Sequence, residues 1–215
     1  MNERTLNPWL SIWRHPRATT RQILAGDPGR NVWLLAALAG IAHGFSSAGT
    51  DNAGDEMGLM VIVMTSVIGG AISGVLGLWL GSHVVRWTGS WIRGRATLTE
   101  VRGALAWSGV PTIWTLPVWL LAIALFGQPL FTKAGVDLST SGGLAIVALV
   151  IFVGLSVVAI WHIVVSLKCL AEAQGFSAWR ALGNLLLAFL VLTALLFAVV
   201  LTVSLVLTLL GVDAI

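Results

Sequence analysis

The chain has 215 residues, enough for one domain, and its composition is far from that of a soluble protein. Hydrophobic residues make up 57% of it and charged residues 10%, against about 25% charged residues in ordinary soluble domains. These values exclude a disordered chain, a nucleic-acid-binding protein and an ordinary soluble enzyme. The single cysteine, Cys169, excludes an internal disulfide. The composition therefore indicates an all-α polytopic membrane protein.

The first 30 residues are polar and basic, and two short helices are predicted in them. Asn7 followed by Pro8 is a typical helix start, and Pro16 begins a second helix that ends near Gly26. Both helices have apolar faces with arginines alongside, which predicts that they lie in the membrane interface. Docking against the ends of the membrane spans is the alternative.

Five apolar segments follow, each long enough to cross the roughly 30 Å hydrocarbon core of a bilayer as a helix. The 12 basic and 9 acidic residues of the chain all lie outside these segments, as expected because charge in hydrocarbon is costly. We predict one transmembrane domain over residues 31–215, preceded by a cytoplasmic or interfacial segment, 1–30. Its five helices are expected at about 31–49, 58–85, 104–126, 143–167 and 182–211.

The charged residues between the spans predict the orientation. Eleven of the 12 Lys and Arg residues lie in segments 1–30, 86–103 and 168–181, which alternate with segments that hold only Lys133. Because positively charged loops stay in the cytoplasm, we expect a cytoplasmic N-terminus and a C-terminus outside the inner membrane.

Small residues recur at helical spacing on the first two spans. Gly40 and Gly44 lie four residues apart on the first span. The second span carries a stripe of its own, made of Ser66, Gly70, Gly74, Gly77 and Gly81. Such stripes let helix backbones approach closely in a membrane. We predict that the two spans pack together within the chain, with dimerisation through the same stripe as the alternative.

The third span is predicted to be a kinked helix that begins before the bilayer. Thr97 and Glu100 form a capping-box pattern, which predicts a helix start near Leu98. Pro111 and Pro117 lie inside this helix, and each removes a backbone hydrogen bond. We therefore expect two kinks, which a membrane bundle tolerates where neighbouring helices cover the freed carbonyl groups.

Few polar side chains lie within the spans. His43 is on the first span with Ser47 one turn further on, and Ser66 is expected at a similar depth if the first two spans pair. These three residues form a candidate polar site, because intramembrane ionisable groups often mark ion, proton or ligand paths. A histidine that merely satisfies its hydrogen bonds in the bundle is the alternative. His83 and His162 are expected at comparable depth, but without a third ligand an interfacial role is favoured over metal binding.

The sequence carries no recognisable catalytic or cofactor pattern. A nucleophile elbow, a His-Glu-x-x-His motif, a phosphate-binding glycine loop and an EF-hand are all missing. No carboxylate lies within a predicted span, so a carboxylate-based coupling-ion site is not expected. We therefore expect a protein that is not an enzyme, with no catalytic residue, metal ligand or cofactor.

Three segments of the sequence resemble a known family. They read NPWLSIWRHPRATTRQIL before the first span, EVRGALAWSGVPTIWTLPVW into the third and LAEAQGFSAWRALGNLLL into the fifth. In this order and layout they resemble the bacterial branch of the Yip family, five-span membrane proteins related to proteins that interact with Rab GTPases. The resemblance implies the same orientation as the charge distribution. It does not extend to GTPase binding, because the DLYGP-type motif of eukaryotic relatives and tyrosine itself are missing from the sequence.

Two functions are compatible with these features. The first is a non-catalytic scaffold or adaptor that organises other membrane proteins or lipid, with the bilayer, other membrane proteins or a second copy of itself as partners. The second is a small transporter, channel or lipid-translocating protein that uses a polar path near His43. A dry, fully packed bundle favours the scaffold, whereas a polar cavity reaching His43 favours transport.

Overall fold

A computed structural model describes residues 6–136 and 142–209, and all regular structure in these ranges is helical. The α-helices are α1 (Pro8–Arg14), α2 (Pro16–Ala25), α3 (Val32–Thr50), α4 (Leu59–Met64), α5 (Gly70–Trp91), α6 (Leu98–Ser108), α7 (Val110–Ile113), α8 (Leu116–Phe126), α9 (Gly142–Gln174) and α10 (Ala178–Leu209). A π-helical turn, Thr65–Gly69, joins α4 to α5, and 3-10 turns occur at Ala53–Asp55 and Gln128–Phe131. The all-helical fold predicted from the composition is confirmed.

Five helical segments are long and apolar enough to cross a membrane, as predicted. They are Val32–Thr50, Leu59–Trp91, Leu98–Phe126, Gly142–Gln174 and Ala178–Thr208. Residues 210 and 211, which end the last predicted span, lie outside the described residues. Helices α5 and α9 extend beyond the apolar segments predicted for them. Local caps and turns set the ends of these helices, and the change in hydropathy does not.

Gly175 shows how one of these ends is made. It follows α9 with a φ of +73°, a left-handed conformation that glycine adopts without steric cost. The amide of Phe176 then donates to the carbonyl of Ala171, 3.0 Å away. The resulting tight turn places α10 antiparallel beside α9, and the two helices pack together.

The bundle is held most closely where α3 crosses α5. A Cβ atom added to Gly40 would fall on the carbonyl oxygen of Gly70 and 2.7 Å from the Cα of Gly74. At the next turn of α3, a Cβ on Gly44 would lie 2.7 Å from the carbonyl oxygen of Ser66, which belongs to the π-helical turn. Backbones therefore touch directly along this crossing, as small residues allow.

The stripe of small residues is longer than the crossing. Gly77 and Gly81, further along α5, have no neighbouring atom within 4 Å of an added Cβ. The close approach therefore lies at Gly40, Gly44 and the first half of the stripe, from Ser66 to Gly74.

The third span is broken into α6, α7 and α8. Thr97 caps α6 with both hydrogen bonds of a capping box, which confirms the helix start predicted at Leu98. The breaks lie at Gly109 and at Trp114–Thr115, so Pro111 and Pro117 each occupy the first turn of the helix that follows. A proline is tolerated at this position because its missing N–H would have no partner within the helix.

The N-terminal helices dock onto the bundle. Ile12 of α1 is fully buried, and α2 packs against α9 and α6. The indole Nε1 of Trp161 donates to the backbone carbonyl of Trp13, 3.2 Å away. Arg21 Nε lies 2.7 Å from Glu172 Oε1, and this hydrogen bond and ion pair raise the pKa of Arg21. Leu10 stays 61% exposed, so one face of α1 remains free for the membrane interface.

A buried polar contact lies at the end of the bundle where the N-terminal helices dock and where α3 begins. We call this end the basic end. Thr88 of α5 donates to Asn184 Oδ1 of α10 over 2.7 Å, and both side chains are fully buried. The Gln174 side chain fills the space that a side chain on Gly89 or Gly94 would need. Glycine at these two positions therefore lets α5, α9 and α10 meet around buried amides.

The opposite, far end of the bundle is loosely packed. No described residue of α9 before Val165 is buried, and none of α10 after Ala188. From Thr193 to Thr208 every side chain of α10 is exposed. About 16 residues at 1.5 Å each give roughly 24 Å of helix that the rest of the described chain does not cover.

Candidate functional site

His43 and His162 line one cavity inside the membrane-spanning part of the bundle. The cavity has a volume of about 140 Å³ and lies between α3, the broken third span and α9. Ser46, Thr112 and Thr115 contribute hydroxyl groups to its wall. We call this cavity the histidine groove.

The broken third span supplies the groove with its polar wall. Thr112 belongs to the four-residue helix α7, and Thr115 lies in the break before α8. The Thr115 hydroxyl donates to the carbonyl of Thr112 over 2.7 Å. Irregular backbone at this depth in a membrane is tolerated where protein buries it or where it lines a cavity. Pro111 and Pro117 thus place a pair of threonines beside the two histidines.

The two imidazoles have free hydrogen-bonding capacity. His43 is exposed to the groove and His162 is half-buried, and neither donates to nor accepts from another described residue. Both rings line the same cavity. A neutral imidazole offers one donor and one acceptor, and a protonated one offers two donors. No carboxylate lines the groove, so its charge is neutral or positive.

An apolar cavity continues the groove toward the far end. Its volume is about 320 Å³, and it shares Ser46, Trp119 and two residues of α9 with the histidine groove. Phe126 and Phe152 are among its apolar walls. The Trp119 ring stacks between two phenylalanines, with centroid distances of 6.2 Å to Phe45 and 6.3 Å to Phe131. The polar and apolar parts together could hold a molecule with a polar group and a hydrocarbon chain.

Of the three residues of the predicted polar site, His43 lines the groove and the other two do not. Ser66 is buried against Gly44 on the face of α3 that packs on the second span, and Ser47 lines neither cavity. The physical reason is helix geometry: Gly44 and His43 are consecutive residues, about 100° apart around α3. His43 therefore points to the groove and not to the glycine crossing.

His83 lies apart from the groove. It is an exposed residue of α5, and its Nδ1 atom is 2.6 Å from the carbonyl oxygen of Trp79 on the preceding turn. Its ring also contacts the Trp79 ring, with 5.0 Å between centroids. Comparable depth in the membrane does not place His83 and His162 in one site, because His162 faces α3. Within the described part of the chain, no three His, Cys, Asp or Glu residues converge as metal ligands.

The sequence did not predict the residues that line the groove with His43. It places His162 beside His83 only, and it gives Ser46, Thr112 and Thr115 no predicted role. A useful signal was present in Thr112 and Thr115, which lie between the two prolines of an otherwise apolar span. Polar residues beside a helix break are candidates for lining a cavity.

Comparison with known proteins identifies the family. The family model described as Yip1 domain matches residues 10–211, which is nearly the whole chain. No curated protein and no solved structure shows a significant match. The predicted resemblance is confirmed at the level of the family, while assignment to its bacterial branch stays a prediction. The chain belongs to the Yip1-domain family and is a multi-pass integral membrane protein of that family.

Proposed function

We propose that this Yip-family protein is a non-catalytic membrane scaffold or adaptor that organises other membrane proteins or lipid. One observation carries the proposal: the far halves of α9 and α10 extend through the membrane-spanning region without cover from the rest of the described chain. Helices that are apolar all round and unpacked within their own chain offer a large surface to lipid or to other transmembrane helices.

The proposal includes an orientation and a division of the chain. We place the N-terminus in the cytoplasm and the C-terminus outside the inner membrane, because the basic segments lie at one end of the bundle. Residues 1–30 form the cytoplasmic or interfacial segment and residues 31–215 the transmembrane domain. Reporter fusions after residues 30, 95, 135 and 176 test this topology, with cytoplasmic activity expected at 30, 95 and 176 only.

Site-specific photo-crosslinking tests the scaffold proposal. A photoreactive amino acid at Leu196 or Val203, both exposed on α10, is expected to give discrete crosslinks to other membrane proteins or to a second copy of the chain. Ile72 on α5 is similarly exposed and serves as the matched control for collisional contacts. Crosslinks at Leu196 and Val203 that reach lipid alone, or a protein pattern identical to that from Ile72, would refute a protein-binding role for this surface.

The histidine groove favours a second candidate function, a small transporter, channel or lipid-translocating protein. A polar cavity reaching His43 is the feature expected for transport, and it opens onto an apolar cavity that suits a hydrocarbon chain. The groove is a candidate binding site for an amphipathic molecule on its way through the bundle. His43 and His162 would then hold its polar group by hydrogen bonds.

Reconstituted liposomes test this candidate. Movement of a fluorescent phospholipid between leaflets, or flux of a small solute, is expected to increase with protein and to fall severalfold in His43→Ala and His162→Ala. His83→Ala is the matched control, since this histidine is exposed outside the groove. Equal movement in protein-containing and protein-free liposomes would eliminate transport as the function.

A further inference from the structure

A separate cavity lies at the basic end, between the N-terminal helices and the spans. Its volume is about 410 Å³. Helices α1 and α2, the loop between α2 and α3, and α6 all contribute to its wall. We call it the N-terminal pocket. It shares no lining residue with the histidine groove and is independent of the function proposed above.

Opposite charges line the N-terminal pocket without pairing with each other. Asp27 and Arg30 both lie in the loop between α2 and α3, and both are exposed. Asp27 Oδ1 accepts the Gly29 amide over 3.0 Å, which leaves Oδ2 free. The Arg30 guanidinium makes no hydrogen bond or ion pair with a described residue. The pocket therefore offers one cationic and one anionic group to a ligand.

A buried hydrogen-bond donor lies in the same wall. Trp107 of α6 lines the pocket and is only 5% exposed, and its Nε1 atom has no partner among the described residues. The edge of its ring meets the ring of Trp9, with 5.9 Å between centroids. An indole N–H buried without an acceptor is unfavourable. Nε1 is itself covered in the structure, so an acceptor in the pocket would reach it only after a shift of side chains.

The position of the pocket suits the polar part of a membrane lipid. Arg30 and Asn31 immediately precede Val32, the first residue of the first span, so they lie at the level of the lipid headgroups. The apolar side chains of Trp9 and Ile23 also line the pocket and can contact the upper part of lipid chains. A site at this level is reached from the bilayer itself.

We propose that the N-terminal pocket binds the headgroup of a zwitterionic phospholipid that carries a primary ammonium group. The phosphate pairs with Arg30, and the ammonium pairs with Asp27. A shift of the Trp107 ring would add its Nε1–H as a second donor to the phosphate. An anionic headgroup leaves Asp27 without a cation. A quaternary ammonium has no N–H to donate to the carboxylate. The primary ammonium headgroup is the one that satisfies both charges.

Lipid retention by the purified full-length protein tests the proposal. Native mass spectrometry in detergent measures bound phosphatidylethanolamine, phosphatidylcholine and phosphatidylglycerol with identical acyl chains, added at equal concentration. The wild type is expected to retain phosphatidylethanolamine about 1.5-fold to fivefold more than the other two, the range for an exposed ion pair. Asp27→Asn removes this preference, and Arg30→Gln lowers retention of all three lipids. Trp107→Phe keeps the ring and also lowers retention of all three.

Two exposed charges outside the pocket give matched controls. Arg17→Gln and Asp51→Asn are expected to retain lipid as the wild type does, and Arg30→Lys restores part of what Arg30→Gln loses. Thermal unfolding of each variant confirms that the fold is kept. Equal retention of the three lipids by the wild type, or an unchanged preference in Asp27→Asn, would overturn the proposal. Displacement of the lipid by water-soluble glycerophosphoethanolamine at the same concentration would overturn its assignment to a membrane lipid.

Discussion

The crossing of α3 and α5 gives a prediction whose sign depends on which glycine is changed. In Gly40→Ala the new methyl group would meet the carbonyl oxygen of Gly70 and the Cα of Gly74. These are backbone atoms, so no side-chain rotation relieves the clash. In Gly77→Ala the methyl group has no neighbouring atom within 4 Å. The two substitutions make the same chemical change, one where a neighbouring backbone is in contact and one where no neighbouring atom lies within reach.

The magnitudes follow from two opposing terms. Overpacking of a close contact costs about 1–3 kcal/mol, and we take the upper end because the backbone cannot move aside. Alanine is favoured over glycine inside a helix by about 1 kcal/mol. We therefore expect Gly40→Ala to lower the free energy of unfolding by about 2 kcal/mol. In Gly77→Ala only the helix preference for alanine applies, so this substitution should raise the free energy of unfolding by about 0.5–1 kcal/mol.

Reversible unfolding in mixed micelles, followed by circular dichroism as the denaturing detergent increases, measures both values. Analytical ultracentrifugation of the same samples separates packing within the chain from dimerisation. We expect Gly40→Ala to change stability but not mass. A Gly40→Ala protein as stable as the wild type would refute the reasoning, and so would a Gly77→Ala protein destabilised to the same extent. A change from dimer to monomer would assign the stripe to an interface between copies.

Three further predictions concern the basic end. Thr97→Ala removes the cap of α6 and should lower the free energy of unfolding by about 1 kcal/mol, measured in the same micelle titration. Asn184→Ala deletes the nearest acceptor of the buried Thr88 hydroxyl, whose next acceptor is the Val84 carbonyl oxygen 2.9 Å away, and should cost up to about 1 kcal/mol, with a smaller loss in the double variant Thr88→Val, Asn184→Ala than the single losses added together. Arg21→Gln should reduce thermal stability slightly at low ionic strength and not in about 1 M salt, where the screening length is about 3 Å, because its ion pair with Glu172 is largely exposed on the arginine side. A loss that is equal at both salt concentrations would show that Arg21 acts through packing.

The spans could be predicted from the sequence because a bilayer imposes one strong rule. A charge-free apolar segment of about 20 residues is rarely anything other than a membrane span. The number and order of the spans therefore follow from hydropathy alone. The capping box at Thr97 added a local signal that depends only on residues three apart. The ends of α5 and α9 were harder to predict from the sequence. Their last turns contain polar residues, and turns such as that at Gly175 decide where they stop.

The histidine groove could be predicted only in part. That His43 is a polar residue within a span is visible in the sequence, but its neighbours depend on how α3 and α9 are aligned. His162 lies 119 positions further along the chain, and no local pattern fixes its depth relative to His43. The π-helical turn at Thr65–Gly69 could not be predicted either. It packs through Ser66 against Gly44 of another helix, and this contact is not visible in the local sequence. Both features result from tertiary packing and not from the propensities of nearby residues.

The docking of α1 and α2 onto α9 sets an order of events during synthesis. The contacts of Trp13 with Trp161 and of Arg21 with Glu172 join residues separated by 148 and 151 positions. At about 5–20 residues per second, a ribosome needs roughly 8–30 s to make the intervening chain. Throughout that interval the amphipathic N-terminal helices lack the part of their docking surface that α9 supplies. The membrane interface is an apolar surface within their reach from the start, so the segment would first lie along the bilayer and complete its docking only after the fourth span is inserted.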